Sequence, residues 1–326
     1  MAELTMIEAI RAALSHALET DPDVILFGED IGIDGGVFRA TDGLMQRFGS
    51  ARVRDTPLSE TVIAGMAVGA AAMGLRPVAE IQFSGFLYPA LDQLVNHASR
   101  LRNRTRGRLT CPMVLRAPYG GGIRAPEHHS ESPEAMLAHI PGLRVVIPGS
   151  PARAYGLLLA AIRDPDPVVF LEPKRIYRAV SEAVETDGAA LPLDRAFLVA
   201  EGEDLTLVAW GAMLAVADEA VARLAEEGIS AELIDLATIK PYDRVAVRAS
   251  VAKTGRCVIV HEAALTTGFG AEIAADLAEH CLTHLIAPIR RVAGYDTVMP
   301  YLRLEAQYLP DTGRILRAAR EVMEFT

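Results

Sequence analysis

Two adjacent histidines, His128 and His129, stand in the stretch APEHHSESPEA (125–135) among three acids, Glu127, Glu131 and Glu134. A glycine run, Gly120 to Gly122, precedes them. Neighbouring side chains point in different directions, and no cysteine or spaced second histidine stands beside them. The spacing therefore argues against a zinc site. An imidazole titrates near neutral pH and suits proton transfer; the other reading is a polar loop with no chemistry. The glycines match neither dinucleotide nor P-loop spacing, and Pro126 follows, so a phosphate cradle is not expected there. Two further segments carry candidate groups. In DTPLSET (55–61), Glu60 stands at a helix start, where an acid is favoured by the helix dipole. It is also a carboxylate beside a very apolar segment, able to share a proton with a bound heterocycle. In IQFSGF (81–86), Phe83 and Phe86 read as core or interface aromatics, or as a platform for a flat ring.

The elements that position these groups repeat as strand then helix. DVILFGED, PVAEIQF, CPMVLRAP, LRVVIPG and PVVFLEP are short apolar strands. Between them lie helices: TMIEAIRAALSHALET with a Thr5/Glu8 capping box, ETVIAGMAVGAAAMG (60–74), LYPALDQLVNHASRLR, and one entered at Pro151. The segment 60–74 has almost no polar face and reads as a buried helix; Gly65 and Gly69 would admit another backbone. Such units predict parallel sheets covered on both faces. Ligands in these sheets lie beyond the carboxyl ends of the strands; IQFSGF and the histidine loop each follow a strand, and DTPLSET precedes the buried helix. Lys174 to Ala196 breaks the rhythm and reads as a linker. A second series follows: LTLVAWG, a helix ending at Gly228, SAELIDLAT, CVIVHE, PIRRVAG and a last helix, TGRILRAAREVMEF. The expectation is two doubly wound α/β domains, 1–185 and 186–326.

The chain has 326 residues, a net charge of −10, and is 51% hydrophobic and 23% charged. That suits globular domains and argues against general nucleic-acid or anionic-membrane binding. RLRNRTRGR (100–108) is a local exception: a solvated helix end, or a strip facing a subunit or an anion. The three cysteines, Cys111, Cys257 and Cys281, form no close pair, so neither a disulfide framework nor a zinc ribbon is expected. With no signal-peptide pattern and no membrane-length apolar run, the expected location is cytoplasmic.

Taken in order, GEDIG…GGVF, DTPLSE, GLRPVAEIQF, HHSESPEA, PGLRVVIPGSP, AIRDPDPVVFLEPKRIYR, KTGRCVIVHEA and GFGAEIA resemble the β subunit of the thiamine-diphosphate-dependent decarboxylating component of 2-oxoacid dehydrogenase complexes. The resemblance runs from Glu3 to about Leu309. It implies a pyrimidine-binding domain, then a transketolase C-terminal-like domain, in an α2β2 heterotetramer. Thiamine diphosphate would be shared with an α subunit that holds the diphosphate and magnesium through a Gly-Asp-Gly motif. This chain has no such motif, which implies half a site, inactive alone. By position, Glu60 matches the glutamate that hydrogen-bonds the aminopyrimidine and promotes its imino tautomer. Phe86 matches the aromatic on that ring, and Leu58 and Gln82 match further cofactor contacts. His129 matches the histidine that assists reductive acyl transfer to the lipoyl group of the dihydrolipoyl acyltransferase, with His128 as a support. A structural potassium ion in animal relatives maps onto Met113, Ala161, Ile162, Asp164 and Asp166, mainly through backbone carbonyls. Asp166 replaces an asparagine there, and Glu131 replaces a glutamine after the histidine. The implied activity is oxidative decarboxylation of pyruvate or a branched-chain 2-oxoacid. The alternatives are an acetoin dehydrogenase β subunit, a single-chain transketolase-like carboligase, which the missing diphosphate motif argues against, and a non-catalytic scaffold.

Overall fold

The structure, a computed structural model, describes residues 1–325. Fourteen strands are described: β1 Ala2–Thr5, β2 Val24–Gly28, β3 Val53–Asp55, β4 Arg76–Glu80, β5 Val114–Tyr119, β6 Arg144–Val146, β7 Val168–Pro173, β8 Ser181–Val184, β9 Phe197–Ala200, β10 Leu205–Ala209, β11 Ala231–Asp235, β12 Thr238–Lys240, β13 Cys257–Ala264 and β14 Arg290–Gly294. They form a seven-stranded sheet in the order β12-β6-β7-β5-β4-β2-β3 and a five-stranded sheet in the order β14-β13-β10-β11-β9. β1 pairs antiparallel with β8 in a separate two-stranded ribbon. Both larger sheets are parallel except at one edge each, β12 and β9. Every residue of β5, β7, β10 and β11 is buried. That is the pattern of a sheet with helices on both faces, each fully buried Leu, Val or Phe contributing roughly 1.5–3 kcal/mol.

The helices Met6–Thr20 and Pro151–Arg163 pack on one another and bury the first as an apolar stripe, Met6, Ile10, Leu14 and Leu18. The Glu8 carboxylate accepts from both the backbone N–H and the hydroxyl of Thr5, the expected capping box. Pro151 opens its helix at the first turn.

Four expectations are corrected. The span 174–196 is not only a linker: β8 within it pairs with β1 (Ala2↔Val184, Thr5↔Ser181), an N-terminal strand that its short, mixed sequence did not announce. LYPALDQLVNHASRLR is not one helix. It breaks into the 3-10 turn Ser84–Ala90, the helix Leu91–Asn96, a second 3-10 turn and the helix Leu101–Arg104. Pro89, lacking an N–H, lies within the first piece. SAELIDLAT splits at Leu236 and Ala237: β11 stays in the five-stranded sheet, while β12 crosses to become the edge of the other (Thr238↔Val146). Residues from the second half thus complete the first sheet. Finally, the helix Glu60–Ala72 is buried on one side only. Ile63, Ala64, Ala67 and Ala71 face the interior, but Val62 is 52% and Met66 42% exposed, and Met73 just beyond is 84% exposed. Gly65 lies against the Gln93 side chain, whereas nothing approaches Gly69. No described helix is long and apolar enough to cross a membrane.

Candidate functional site

The strand order β5-β4-β2-β3 is parallel throughout, so four carboxyl-end loops lie side by side. They carry Glu29 and Asp30 after β2, Thr56 to Glu60 after β3, Ile81 to Phe86 after β4, and Gly120 to Ser132 after β5. Open parallel sheets place ligands at such an edge.

The fullest cluster joins the third and fourth loops. The His129 ring stands edge-on to Phe83, centroids 4.3 Å apart, and to Phe86 at 5.3 Å. His128 lies 4.3 Å from His129 and 5.7 Å from Phe86. The approach depends on Gly85: a Cβ there would fall 1.8 Å from the His128 carbonyl oxygen. Ser84 ties the loops together by donating from Oγ to the Glu131 carbonyl at 2.7 Å. The Glu131 side chain accepts from the Tyr88 hydroxyl at 3.1 Å. His128 is exposed, whereas His129 is half-buried and its Nδ1 is buried without a partner. Burial holds the His129 pKa below the ordinary imidazole value; the nearby His128 and Lys174 push the same way, and Glu127 opposes them.

A carboxylate group occupies the neighbouring loops. Glu60 begins its helix, half-buried, and Glu29 is 7% exposed. Burial, reinforced by Glu60 and Asp30, raises the Glu29 pKa. Gln82 donates from Nε2 to the Asp30 carboxylate at 3.2 Å, and Asp30 takes a left-handed φ of 57°. Leu58 is 79% exposed, a large apolar side chain with nothing over it in the isolated chain. The buried Thr56 hydroxyl has no partner. Glu29 was not singled out from the sequence; its signal was GED directly after an apolar strand.

Behind this edge lies a buried ion cluster. Arg116 on β5 donates from Nη1 to Glu80 on β4 at 2.7 Å, and from Nε and Nη2 to Glu172 on β7 at 2.6 and 3.0 Å. The Tyr177 hydroxyl donates to the same Glu172 at 2.5 Å. Lys174, 3% exposed with its Nζ unpartnered, is pushed down to about 8 by burial, although Glu262 and Glu305 pull it up.

At the residues mapped to potassium the polar groups are already engaged. The Met113 carbonyl accepts from Val168 N–H, Ala161 from Asp164 N–H, and Ile162 from Arg76 Nη1 at 3.0 Å. The Asp164 carboxylate lies 3.0 Å from Arg144, and Asp166 accepts from Arg102 at 2.6 Å. Each carbonyl keeps a second lone pair, so a cation is not barred, yet no open carboxylate offsets its charge.

Known families match these features. Residues 2–180 match the transketolase pyrimidine-binding domain, and residues 194–315 the transketolase C-terminal domain. The chain is 49% identical to the pyruvate dehydrogenase E1 component subunit beta of Acholeplasma laidlawii, covering 99% of this chain and 98% of that one. It is 50% identical to the mitochondrial 2-oxoisovalerate dehydrogenase subunit beta 2 of Arabidopsis thaliana (99% and 90%). It is 47% identical to the 2-oxoisovalerate dehydrogenase subunit beta of Pseudomonas aeruginosa (98% and 95%). The chain belongs to the family of 2-oxoacid dehydrogenase E1 β subunits. A solved split-gene transketolase, described as an inactive β4 tetramer, shares the fold at a TM-score of 0.82 with 24% identity, over 99% of both chains. Family membership implies thiamine diphosphate as cofactor and an α partner within a 2-oxoacid dehydrogenase complex.

Proposed function

We propose that this chain supplies half of the active site for oxidative decarboxylation of pyruvate or a branched-chain 2-oxoacid, with reductive acyl transfer to a lipoyl group. The observation that carries the proposal is the desolvated His129 imidazole, set edge-on between Phe83 and Phe86 with an unpartnered Nδ1. The residues on this edge suit thiamine diphosphate: a carboxylate (Glu60), an amide (Gln82), an aromatic (Phe86), an apolar contact (Leu58) and an unpartnered Thr56 hydroxyl offer both apolar and polar contacts to a heteroaromatic ring. When bound, the cofactor supplies the nucleophilic carbon for the 2-oxo group and the electron sink for decarboxylation.

Glu60 would exchange a proton with the ring's polar edge, beside Glu29, whose own ionisation burial and then Glu60 disfavour. Leu58 and Phe86 would orient the ring and exclude water. His129, mostly neutral near pH 7 because burial disfavours its cation, would take up a proton and deliver it to the dithiolane sulfur as the acyl group moves. His128 would form the exposed wall of the entry. The diphosphate and magnesium would be held by the α subunit of an α2β2 heterotetramer in the cytoplasm, and the lipoyl group presented by the acyltransferase core. The potassium assignment to Met113, Ala161, Ile162, Asp164 and Asp166 would use the second lone pairs of the carbonyls, and the chain would divide near residue 185.

Co-expression with an α subunit tests this. The complex, but not the lone chain, is expected to reduce a dye with pyruvate or 3-methyl-2-oxobutanoate, and the preferred acid names the substrate. His129→Ala is expected to slow lipoyl acylation by roughly a hundredfold, within the usual range for a general acid, and more than it slows dye reduction. A fully active lone chain would remove the half-site reading; unchanged acylation would remove His129.

A further inference from the structure

We propose that Glu262 and Glu305, from the second half of the chain, are positioning residues that clamp the glycine run and so hold the His128–His129 loop in register with Phe83 and Phe86. The inference rests on the role given above to His129. Glu262 lies in β13, and Glu305 opens the short helix Glu305–Tyr308. Gly121 N–H donates to Glu262 Oε1 and Gly122 N–H to Glu305 Oε1. Both acids are buried, 2% and 3% exposed. The next backbone bond, Gly120 N–H to the Glu131 carbonyl at 3.0 Å, closes the loop that carries the histidines. Three successive donors on this run are therefore used to fix its two ends.

The close approach explains three glycines in a row. A Cβ on Gly120 would stand 2.6 Å from the Glu262 carboxylate, one on Gly121 2.7 Å from Met299 Cε, and one on Gly122 2.6 Å from Arg175 Cγ. Gly120 and Gly122 also take left-handed φ values of 78° and 92°. Two buried carboxylates need compensation. Burial raises the Glu262 pKa, opposed by the Gly121 N–H and by Lys174 and Arg175. Lys174 and Arg175 follow β7 in the first half, so the clamp is a contact between the halves with two cationic side chains nearby. A carboxylate accepting a backbone N–H in a buried setting is a strong bond. Losing it frees the loop to spread, and with it the imidazole.

The test uses the α-containing complex with Glu262→Ala and Glu262→Gln. Amide hydrogen exchange over residues 120–131, lipoyl acylation and dye reduction are measured together. Glu262→Ala is expected to speed exchange across the loop and to lower acylation at least about tenfold more than dye reduction, the scale of a misplaced catalytic group. Glu262→Gln keeps an oxygen for the Gly121 N–H and is expected to recover a large part of the acylation rate. Unchanged exchange in Glu262→Ala, equal losses in both reactions, or a glutamine variant no better than alanine would overturn the clamp. If Glu262→Ala does not assemble, Glu305→Ala and Glu305→Gln give the same comparison at Gly122. A parent complex without 2-oxoacid-dependent dye reduction would refute the proposed function instead, and the exchange data alone would then decide the clamp.

Discussion

Glu134 begins the short helix just after the histidine loop, is fully buried, and accepts from the Tyr119 hydroxyl at 3.0 Å through Oε1, while Oε2 has no partner. Burial pushes its pKa from 4.5 up to about 8; the nearby Glu262 adds to this, and its own backbone N–H and Tyr119 oppose it. It is therefore a neutral acid near pH 7. A folded value above the unfolded one leaves stability fully present below the unfolded pKa and removes it as pH rises toward the folded pKa. Each pH unit in that window is worth about 1.4 kcal/mol. At about pH 7.5 nearly three units separate solution from the unfolded value, so the side chain costs roughly 4 kcal/mol against a neutral isostere; at about pH 5 the cost is under ~1 kcal/mol. Glu134→Gln keeps the acceptor for Tyr119 and cannot ionise. Its amide inherits the same unpartnered edge as the protonated acid, so that term nearly cancels. The variant is expected to be more stable than the parent by an amount that grows about 3 kcal/mol between these pH values. Urea unfolding of parent and variant across this range measures the difference, with the slope m held as a check. A pH-independent difference would refute a buried neutral Glu134, and a destabilised variant at the higher pH would refute the bookkeeping altogether.

Arg116→Met should lower stability by about 3–5 kcal/mol near neutral pH, because it strands two buried carboxylates, Glu80 and Glu172. Part of that loss should return in acid as Glu80, whose pKa burial already raises, protonates, read by the same urea experiment. Glu60→Gln in the α-containing complex should lower dye reduction by roughly a hundredfold or more while the complex still co-purifies, as loss of a proton-transferring carboxylate does; near-normal turnover would remove it from the chemistry. Met66→Glu places a charge in the exposed apolar row of Leu58, Val62, Met66 and Met73. It should prevent co-purification of the α subunit without changing the circular dichroism of this chain, since burying an unpaired charge is costly only where a partner covers it.

What could be read in advance was what a local window contains. The runs at Val24–Gly28, Val114–Tyr119 and Val168–Pro173 read as strands because they are short and mainly apolar, Arg116 and Glu172 being the exceptions, and Pro151 and Gly228 mark helix ends by backbone preference alone. Pairings between distant segments were illegible for the same reason. Nothing near Ala2 specifies Val184, and nothing near Thr238 specifies Val146, yet these contacts built β1–β8 and carried β12 across to the other sheet. The helix Glu60–Ala72 shows a related limit: hydrophobicity all round suggested burial on every side, whereas this chain covers one side and leaves Val62 and Met66 exposed. Spacing set aside a metal site at His128 and His129, and the resemblance assigned His129 its role, but the aromatic walls around it come from Gly85 allowing two loops to touch. The glycine run was the unexplained feature. Its spacing fitted no phosphate motif, which left it without a purpose. The Cβ positions at 120, 121 and 122 are filled by Glu262, Met299 and Arg175. Two of these three are from the second half, so the run records a close approach within the chain that no local pattern contains.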